Sequence, residues 1–130
     1  MKISQLLIKA KELIKHPENW TKGEYARNAL GVKVADTHPN ACQWCTVGAL
    51  RRASGFLQGE PIKDTTKGTL VSSGCSFLLK AINREKNLSD WNDLPEVTHS
   101  DVMVAYNKAI TLAYEEENAL AYKEENGTVA

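Results

Sequence analysis

The sequence has few of the features that place a chain in a specialised class of protein. No run of apolar residues approaches the roughly 18 that a membrane-spanning helix requires. Lysine plus arginine equals aspartate plus glutamate at 16 each, so the formal net charge is zero. Nucleic acids and acidic membranes select basic surfaces, and the total charge indicates neither partner. These absences exclude a membrane protein and a strongly basic binder.

Cysteine is also scarce, and an odd count of three does not suit a disulfide framework. The first sixteen residues carry lysines at short intervals and no small-residue cleavage site, which does not match a signal peptide. We therefore expect a cytoplasmic protein with reduced thiols. The sequence lacks a glycine-rich phosphate loop, a His-Glu-x-x-His pattern and a Gly-x-Ser-x-Gly elbow, and we expect no cofactor.

The 130 residues have the composition of one ordinary globular domain, 42% hydrophobic and 25% charged. Apolar spacing predicts a mainly α fold: a single compact domain of four to five helices over residues 1–122, with a polar, frayed tail at 123–130. The predicted helices span residues 3–16, 39–53, 66–86 and 98–122, and residues 87–97 form a loop. Residues 20–36 show no clean period, which leaves a short helix or a short β-hairpin open.

Small residues occupy one side of the predicted 39–53 helix, which would let a second helix approach closely: Ala41, Cys45, Gly48 and Ala49. Cys45 then lies well inside the helix, away from the N-terminal dipole that would lower its pKa. Thr65 or Thr66 is predicted to cap the third helix, and Thr98 with Asp101 resembles a capping box for the last one.

The zero net charge hides an asymmetry along the chain. Residues 1–111 carry 15 basic and 11 acidic side chains, a balance of +4, whereas residues 112–130 carry 1 and 5, a balance of −4. The acidic segment is predicted to be a solvated helix end, because three consecutive glutamates near a helix C-terminus oppose the dipole. A contact between this segment and the basic body, or a basic partner, is the alternative.

Trp91-Asn92-Asp93 is the strongest indication of a binding site in the sequence. A large aromatic residue beside two short polar residues can stack on a planar ligand and bind its donors and acceptors. Trp44 and Arg51 are predicted to lie nearby, and Arg51 would bind a phosphate or carboxylate. A structural role fits equally well: Trp91 covers the core, while Asn92 and Asp93 form turn hydrogen bonds.

Two sites of other kinds are weaker alternatives. His38, Cys42, Cys45 and Cys75 have the side-chain types of a zinc site, but zinc pairs usually occur on tight knuckles and not inside a helix. Cys45, His99 and Asp93 have the types of a nucleophile, its base and an orienting group. Both sets are also explained by buried thiols and surface polar residues, so we expect neither metal binding nor catalysis.

Two short motifs resemble a known family. Trp44-Cys45 followed by Gly48-Ala49-Leu50 gives W-C-x-x-G-A-L, and Asn92-Asp93 followed by Thr98 gives N-D-x-x-x-x-T. Together with Trp20 they resemble domain of unknown function 6197, a group of small bacterial and phage proteins. The resemblance covers residues 20–111, leaves out the first helix and the acidic tail, and implies no particular activity.

We therefore predict a non-enzymatic small binding protein, associated with a phage or mobile element. Its partner is a small, nucleotide-like ligand or a host protein, bound through Trp44, Arg51, Trp91, Asn92 and Asp93. Nothing in the sequence indicates nucleic acid or membrane binding. An enzyme that uses Cys45 is the first alternative, and a structural or subunit-interaction module, whose oligomeric state the sequence leaves open, is the second.

Overall fold

A computed structural model describes residues 1–55 and 66–127 of the chain. Within them the fold is mainly α, with five α-helices and a small two-stranded antiparallel sheet, as the spacing of apolar residues predicts. The elements in chain order are α1 (Ile3–Leu13), a 3-10 turn (Pro17–Asn19), β1 (Ala26–Arg27), β2 (Gln43–Trp44), α2 (Thr46–Ala53), α3 (Thr66–Ala81), α4 (Leu88–Asn92) and α5 (His99–Glu125).

The core lies between α1, α2, α3 and α5, which pack against one another. Buried side chains recur every three to four residues along α1 into its C-cap and along α5: Leu6, Leu7, Ala10 and Ile14, and Val102, Ala105, Tyr106, Ala109 and Ala113. Thr98 caps α5 in the predicted box, accepting from the Asp101 N–H at 3.2 Å while its own N–H donates to the Asp101 carboxylate at 2.9 Å. The long helices therefore follow directly from sequence periodicity and capping.

The acidic end of α5 is not wholly a solvated helix end, which corrects the sequence prediction. Glu117 lies against the start of α1, where its two carboxylate oxygens accept from the Ser4 N–H at 3.2 Å and the Ser4 hydroxyl at 2.5 Å. A carboxylate is favourable there because the first N–H groups of a helix have no partner in the helix. The helix also continues to Glu125, three residues beyond the predicted end, and residues 128–130 of the predicted frayed tail lie outside the described residues.

Replacing Glu117 with alanine is expected to lower the free energy of unfolding by about 1–2 kcal/mol, because α1 loses a charged N-terminal cap. Urea denaturation measures the loss, and Glu115→Ala, an exposed position in the same turn, is the matched control. Equal effects of the two substitutions would show that the contact with Ser4 contributes nothing to stability.

Residues 20–36 contain a tight turn and the strand β1, and β1 pairs with a strand outside this segment. Arg27 forms a bridge with Lys33, and the Asn28 N–H donates to the Val32 carbonyl at 2.9 Å, which closes a tight turn. Gly31 adopts φ +78° in this turn, a conformation that favours glycine. Of the two alternatives that the sequence left open, the structure has the short hairpin. Its first strand, β1, also pairs with β2 in an antiparallel sheet.

The predicted 39–53 helix is wrong in its first half. Residues 43–44 pair with β1, and α2 begins only at Thr46. Cys45 is consequently the N-cap of α2 and not an interior residue, and its sulfur accepts from the Gly48 N–H at 3.3 Å. The predicted stripe of small residues is also wrong, because Ala41 lies before the helix and because backbone, not a second helix, approaches Gly48: a Cβ there would lie 2.1 Å from the Tyr25 carbonyl oxygen.

Two further boundaries differ from the prediction. α3 ends at Ala81 and not at residue 86, and Asn83 just beyond adopts a left-handed φ of +58°, which ends a helix. The predicted loop 87–97 contains the short helix α4, which begins after Asn87 in the left-handed conformation. Thr65 and the side chain of Thr66, the predicted caps of α3, lie outside the described residues.

Candidate functional site

Two neighbouring cavities meet at Tyr25 and Lys33, on the side of the molecule formed by residues 23–36. The smaller cavity has a volume of about 270 Å³ and the larger about 410 Å³. The smaller is also lined by Gly23, Glu24, Cys45, Ser89 and Asp93, and the larger by Val34, Ala35, Asp36 and Arg51. We call the two together the Tyr25 site.

The backbone of Tyr25 is fixed against the start of α2. The Cys45 N–H donates to the Tyr25 carbonyl at 3.1 Å, and the missing side chain of Gly48 leaves room for that carbonyl. Held in this way, the Tyr25 side chain extends outward and is 53% exposed. Gly48 therefore positions the aromatic ring between the cavities, although it lines neither of them.

The side chain of Asn92 connects the wall of the site to the helices by hydrogen bonds. Its side chain is fully buried, and its Oδ1 accepts from the Trp20 indole N–H at 2.8 Å, the Thr46 N–H at 3.0 Å and the Thr46 hydroxyl at 2.6 Å. Its Nδ2 donates to the Thr21 carbonyl at 3.1 Å and to the Asp93 carboxylate at 3.0 Å. With both amide hydrogens and its oxygen engaged, Asn92 acts as a structural junction.

Asp93 lies at the edge of the smaller cavity, next to this junction. Its Oδ1 accepts both the Asn92 amide and the Gly23 N–H, the latter at 2.9 Å. The carboxylate thus holds the chain just before Tyr25 and at the same time lines the cavity as an exposed side chain.

An ion pair forms part of the wall of the larger cavity. The Arg51 guanidinium donates to the Asp36 carboxylate, and the two side chains are only 16% and 6% exposed. The Trp44 indole N–H donates to the Asp36 main-chain carbonyl at 3.1 Å, and the Arg52 guanidinium lies 5.6 Å from the Trp44 ring centroid. These contacts hold residues 34–36 against α2 and so shape the apolar cavity.

The structure divides the predicted ligand-binding residues into three groups. Arg51 and Asp93 line the Tyr25 site, whereas Trp44 and Asn92 are buried and hydrogen-bonded within the protein. Trp91 is half-buried against the core and lines neither cavity. The sequence prediction of a ligand contact is therefore corrected for Asn92, because its amide has no group left to offer a ligand.

The sequence analysis missed the seven other cavity-lining side chains that residues 23–36 and α4 contribute: Glu24, Tyr25, Lys33, Val34, Ala35, Asp36 and Ser89. An aromatic residue in a stretch without helical or strand period was the only available signal. Exposure of that ring depends on the carbonyl contact at Gly48, a long-range feature that no local pattern encodes.

The structure does not assemble the Cys45, His99 and Asp93 set. Cys45 and Asp93 share the smaller cavity, but the His99 Nε2 is hydrogen-bonded to the Ile14 carbonyl at 2.7 Å and its ring packs beside Trp20. Burial raises the pKa of the Cys45 thiol to about 11, which outweighs the hydrogen bond from the Gly48 N–H. The N-cap position therefore does not activate this cysteine as a nucleophile.

The zinc alternative is also not supported. Across residues 1–55 and 66–127, no group of three or more cysteine, histidine or acidic side chains has a geometry that could hold a metal ion. The His38 Nδ1 instead accepts from the Asn40 N–H at 2.9 Å. Burial raises the pKa of the Cys75 thiol to about 11, so this cysteine behaves as a packing residue.

Family comparison matches the sequence to a family of unknown function over residues 1–112. The chain belongs to that family, DUF6197. No curated protein and no solved structure shows significant similarity to the chain. The match includes α1, which corrects the expectation that the first helix lies outside the family pattern, and it ends before Glu117.

The DUF6197 motifs serve mainly to build the wall of the Tyr25 site. Cys45 and Gly48 hold the Tyr25 carbonyl, Trp44 holds residue 36, and Asn92 and Asp93 hold residues 20–23. Among the helices that the structure describes, none is long and apolar enough to cross a bilayer.

Proposed function

We propose that this member of DUF6197 is a non-enzymatic binding protein, and that a small molecule with an aromatic or other apolar body occupies the Tyr25 site. The supporting observation is the pair of contiguous cavities around one exposed aromatic ring. The larger volume lies in the lower part of the range for ligand pockets, roughly 300–1,000 Å³, and the smaller lies just below that range. Tyrosine offers a ligand both a flat apolar face and a hydroxyl.

The chemistry of the lining favours binding over catalysis. The cavity cysteine has a raised pKa, and the histidine that would activate it is engaged elsewhere. Arg51 is paired with Asp36, so its charge helps to hold the wall and is partly neutralised for a ligand. We also propose that the body of the ligand is a heteroaromatic, nucleotide-like ring. A cytoplasmic location and a phage or mobile-element setting are proposed from the sequence.

A protein partner is the second candidate, supported by exposed apolar residues on the turn that follows β1. Leu30 is 87% exposed and Val32 56% exposed on the turn that follows β1. Contiguous exposed apolar side chains are common in protein interfaces. This turn and Tyr25 belong to the same stretch of chain, residues 23–36.

Tyr25→Ala is expected to weaken ligand binding about two- to tenfold, because a ring contact of this kind contributes roughly 0.5–1.5 kcal/mol. The measurement is an NMR titration of ¹⁵N-labelled protein with nucleosides and indole derivatives, in which the amides of residues 23–25 and 33–36 should shift. Tyr114→Ala is the matched control, since Tyr114 is 45% exposed on α5 and lines neither cavity. If no compound shifts these amides, or if both variants behave alike, the Tyr25 site is not the binding site.

A further inference from the structure

The two halves of the Tyr25 site differ in polarity. The larger cavity is lined by the Tyr25 ring, Val34 and Ala35, with the Arg51–Asp36 pair in its wall. The lining of the smaller cavity is more polar and includes the charged side chains of Glu24, Lys33 and Asp93 beside Ser89 and Cys45. A ligand that fills both halves therefore needs an apolar body and a polar head.

The charges of the site identify the kind of head that fits. Arg51 neutralises Asp36 in the larger half, and the Lys33 ammonium lies 3.6 Å from the Glu24 carboxylate in the smaller half. Asp93 forms no ion pair with any cation of the described residues. The Cys45 thiol stays protonated at neutral pH and adds no charge. The charged side chains that line the smaller cavity, Glu24, Lys33 and Asp93, thus carry a net formal charge of −1.

We infer that the ligand is cationic: a protonated amine on an aromatic or apolar body, with the body over Tyr25 in the larger cavity and the amine beside Asp93 in the smaller one. This inference rests on the proposed function and adds the charge of the ligand. A cation at the boundary between the halves also gains from the face of the Tyr25 ring.

The position of Asp93 is fixed in advance of binding. The Gly23 N–H and the Asn92 amide both donate to its Oδ1, and Asn92 is itself held by α2 and residues 20–21. A carboxylate held in this way loses little conformational entropy on binding an amine. A nucleotide phosphate in the same cavity would instead meet Asp93 and Glu24 as like charges.

Tryptamine and indole-3-propionate test the inference, because they share an indole body and carry head groups of opposite charge. In titrations of the wild-type protein at low salt, tryptamine is expected to bind at least about tenfold more tightly, with shifts of the Gly23, Tyr25 and Asp93 amides. Added sodium chloride should weaken the binding of tryptamine. The comparison needs no variant, so it does not depend on whether a substitution folds.

Asp93→Asn removes the charge and keeps an Oδ1 acceptor for Gly23 and Asn92. It is expected to lower tryptamine affinity about five- to tenfold while leaving indole-3-propionate binding equal or tighter. Asp90→Asn makes the same charge change at an exposed position of α4 that lines neither cavity, and should leave the preference for tryptamine unchanged.

The outcomes separate this inference from the proposed function. Equal affinity for the two indoles, or a preference for indole-3-propionate, would overturn the cationic ligand and leave the Tyr25 site as a binding site. Failure of both indoles and of the nucleosides to shift the cavity amides would overturn both. If the Asp90 variant loses the preference for tryptamine, that preference arises from the overall charge of the protein and not from Asp93. This result would overturn the inferred contact between the amine and Asp93.

Discussion

Replacing Asn92 with alanine is expected to lower the free energy of unfolding by about 3–5 kcal/mol, because several buried groups lose their partner at once. The Trp20 indole N–H, the Thr46 N–H and the Thr46 hydroxyl would lose their acceptor, and the Thr21 carbonyl would lose a donor. Each buried polar group without a partner costs about 1–3 kcal/mol. The side chain itself is fully buried, so its removal also leaves a cavity.

Urea denaturation followed by tryptophan fluorescence measures this loss. Asn118→Ala, an exposed position on α5, is the matched control and should change stability by less than about 0.5 kcal/mol. A cost below 1 kcal/mol at Asn92 would mean that residues 20–23 do not depend on this side chain. It would also remove the reason to treat Asn92 as the support of Asp93.

Replacing Gly48 with alanine is expected to lower the free energy of unfolding by about 3 kcal/mol, against the usual preference of helices for alanine. The added Cβ would lie 2.1 Å from the Tyr25 carbonyl oxygen and 3.0 Å from the carbonyl carbon. Backbone atoms cannot rotate away as a side chain can, so residues 25–26 must shift. The substitution should therefore also weaken ligand binding at the Tyr25 site.

Gly74→Ala provides the comparison, because it makes the same change inside α3. Its Cβ would meet the Leu50 Cδ2 at 3.0 Å and the Leu6 Cδ2 at 3.4 Å, and these flexible side chains can move by a few tenths of an ångström. We expect a net change within about 1 kcal/mol there, since crowding opposes a gain in helix propensity of about that size. If Gly48→Ala stabilises the protein, the close approach of Tyr25 is not part of the native structure.

The elements that the sequence predicted well are those whose evidence is local. The buried face of α5 repeats every three to four residues, and Thr98 with Asp101 supplies its cap within one turn. The start of α2 could not be predicted in this way. Residues 43–44 are extended because they pair with residues 26–27, and the apolar pattern from residue 39 onward is equally compatible with a helix.

The candidate site shows the same division between local and distant evidence. Residue type alone suggested that Asn92 and Trp44 contact a ligand, but the same polar groups can satisfy buried backbone and indole partners. Asp93 lines a cavity with an exposed side chain, and its contact with a ligand stays a prediction. Tyr25 could not be predicted, since its position follows from Gly48, 23 residues away.

The hydrogen bonds of Asn92 also determine when the wall of the site can form during folding. Those to Trp20, Thr21 and Thr46 join residues that are 46 to 72 positions apart, whereas the bonds within α1 and α5 are local. Closing such long loops is costly in entropy until the helices that carry the ends have come together. Residues 20–36 have only short regular elements of their own, so we expect them to order late and to open first. Bound ligand would then stabilise chiefly the part of the molecule that folds last.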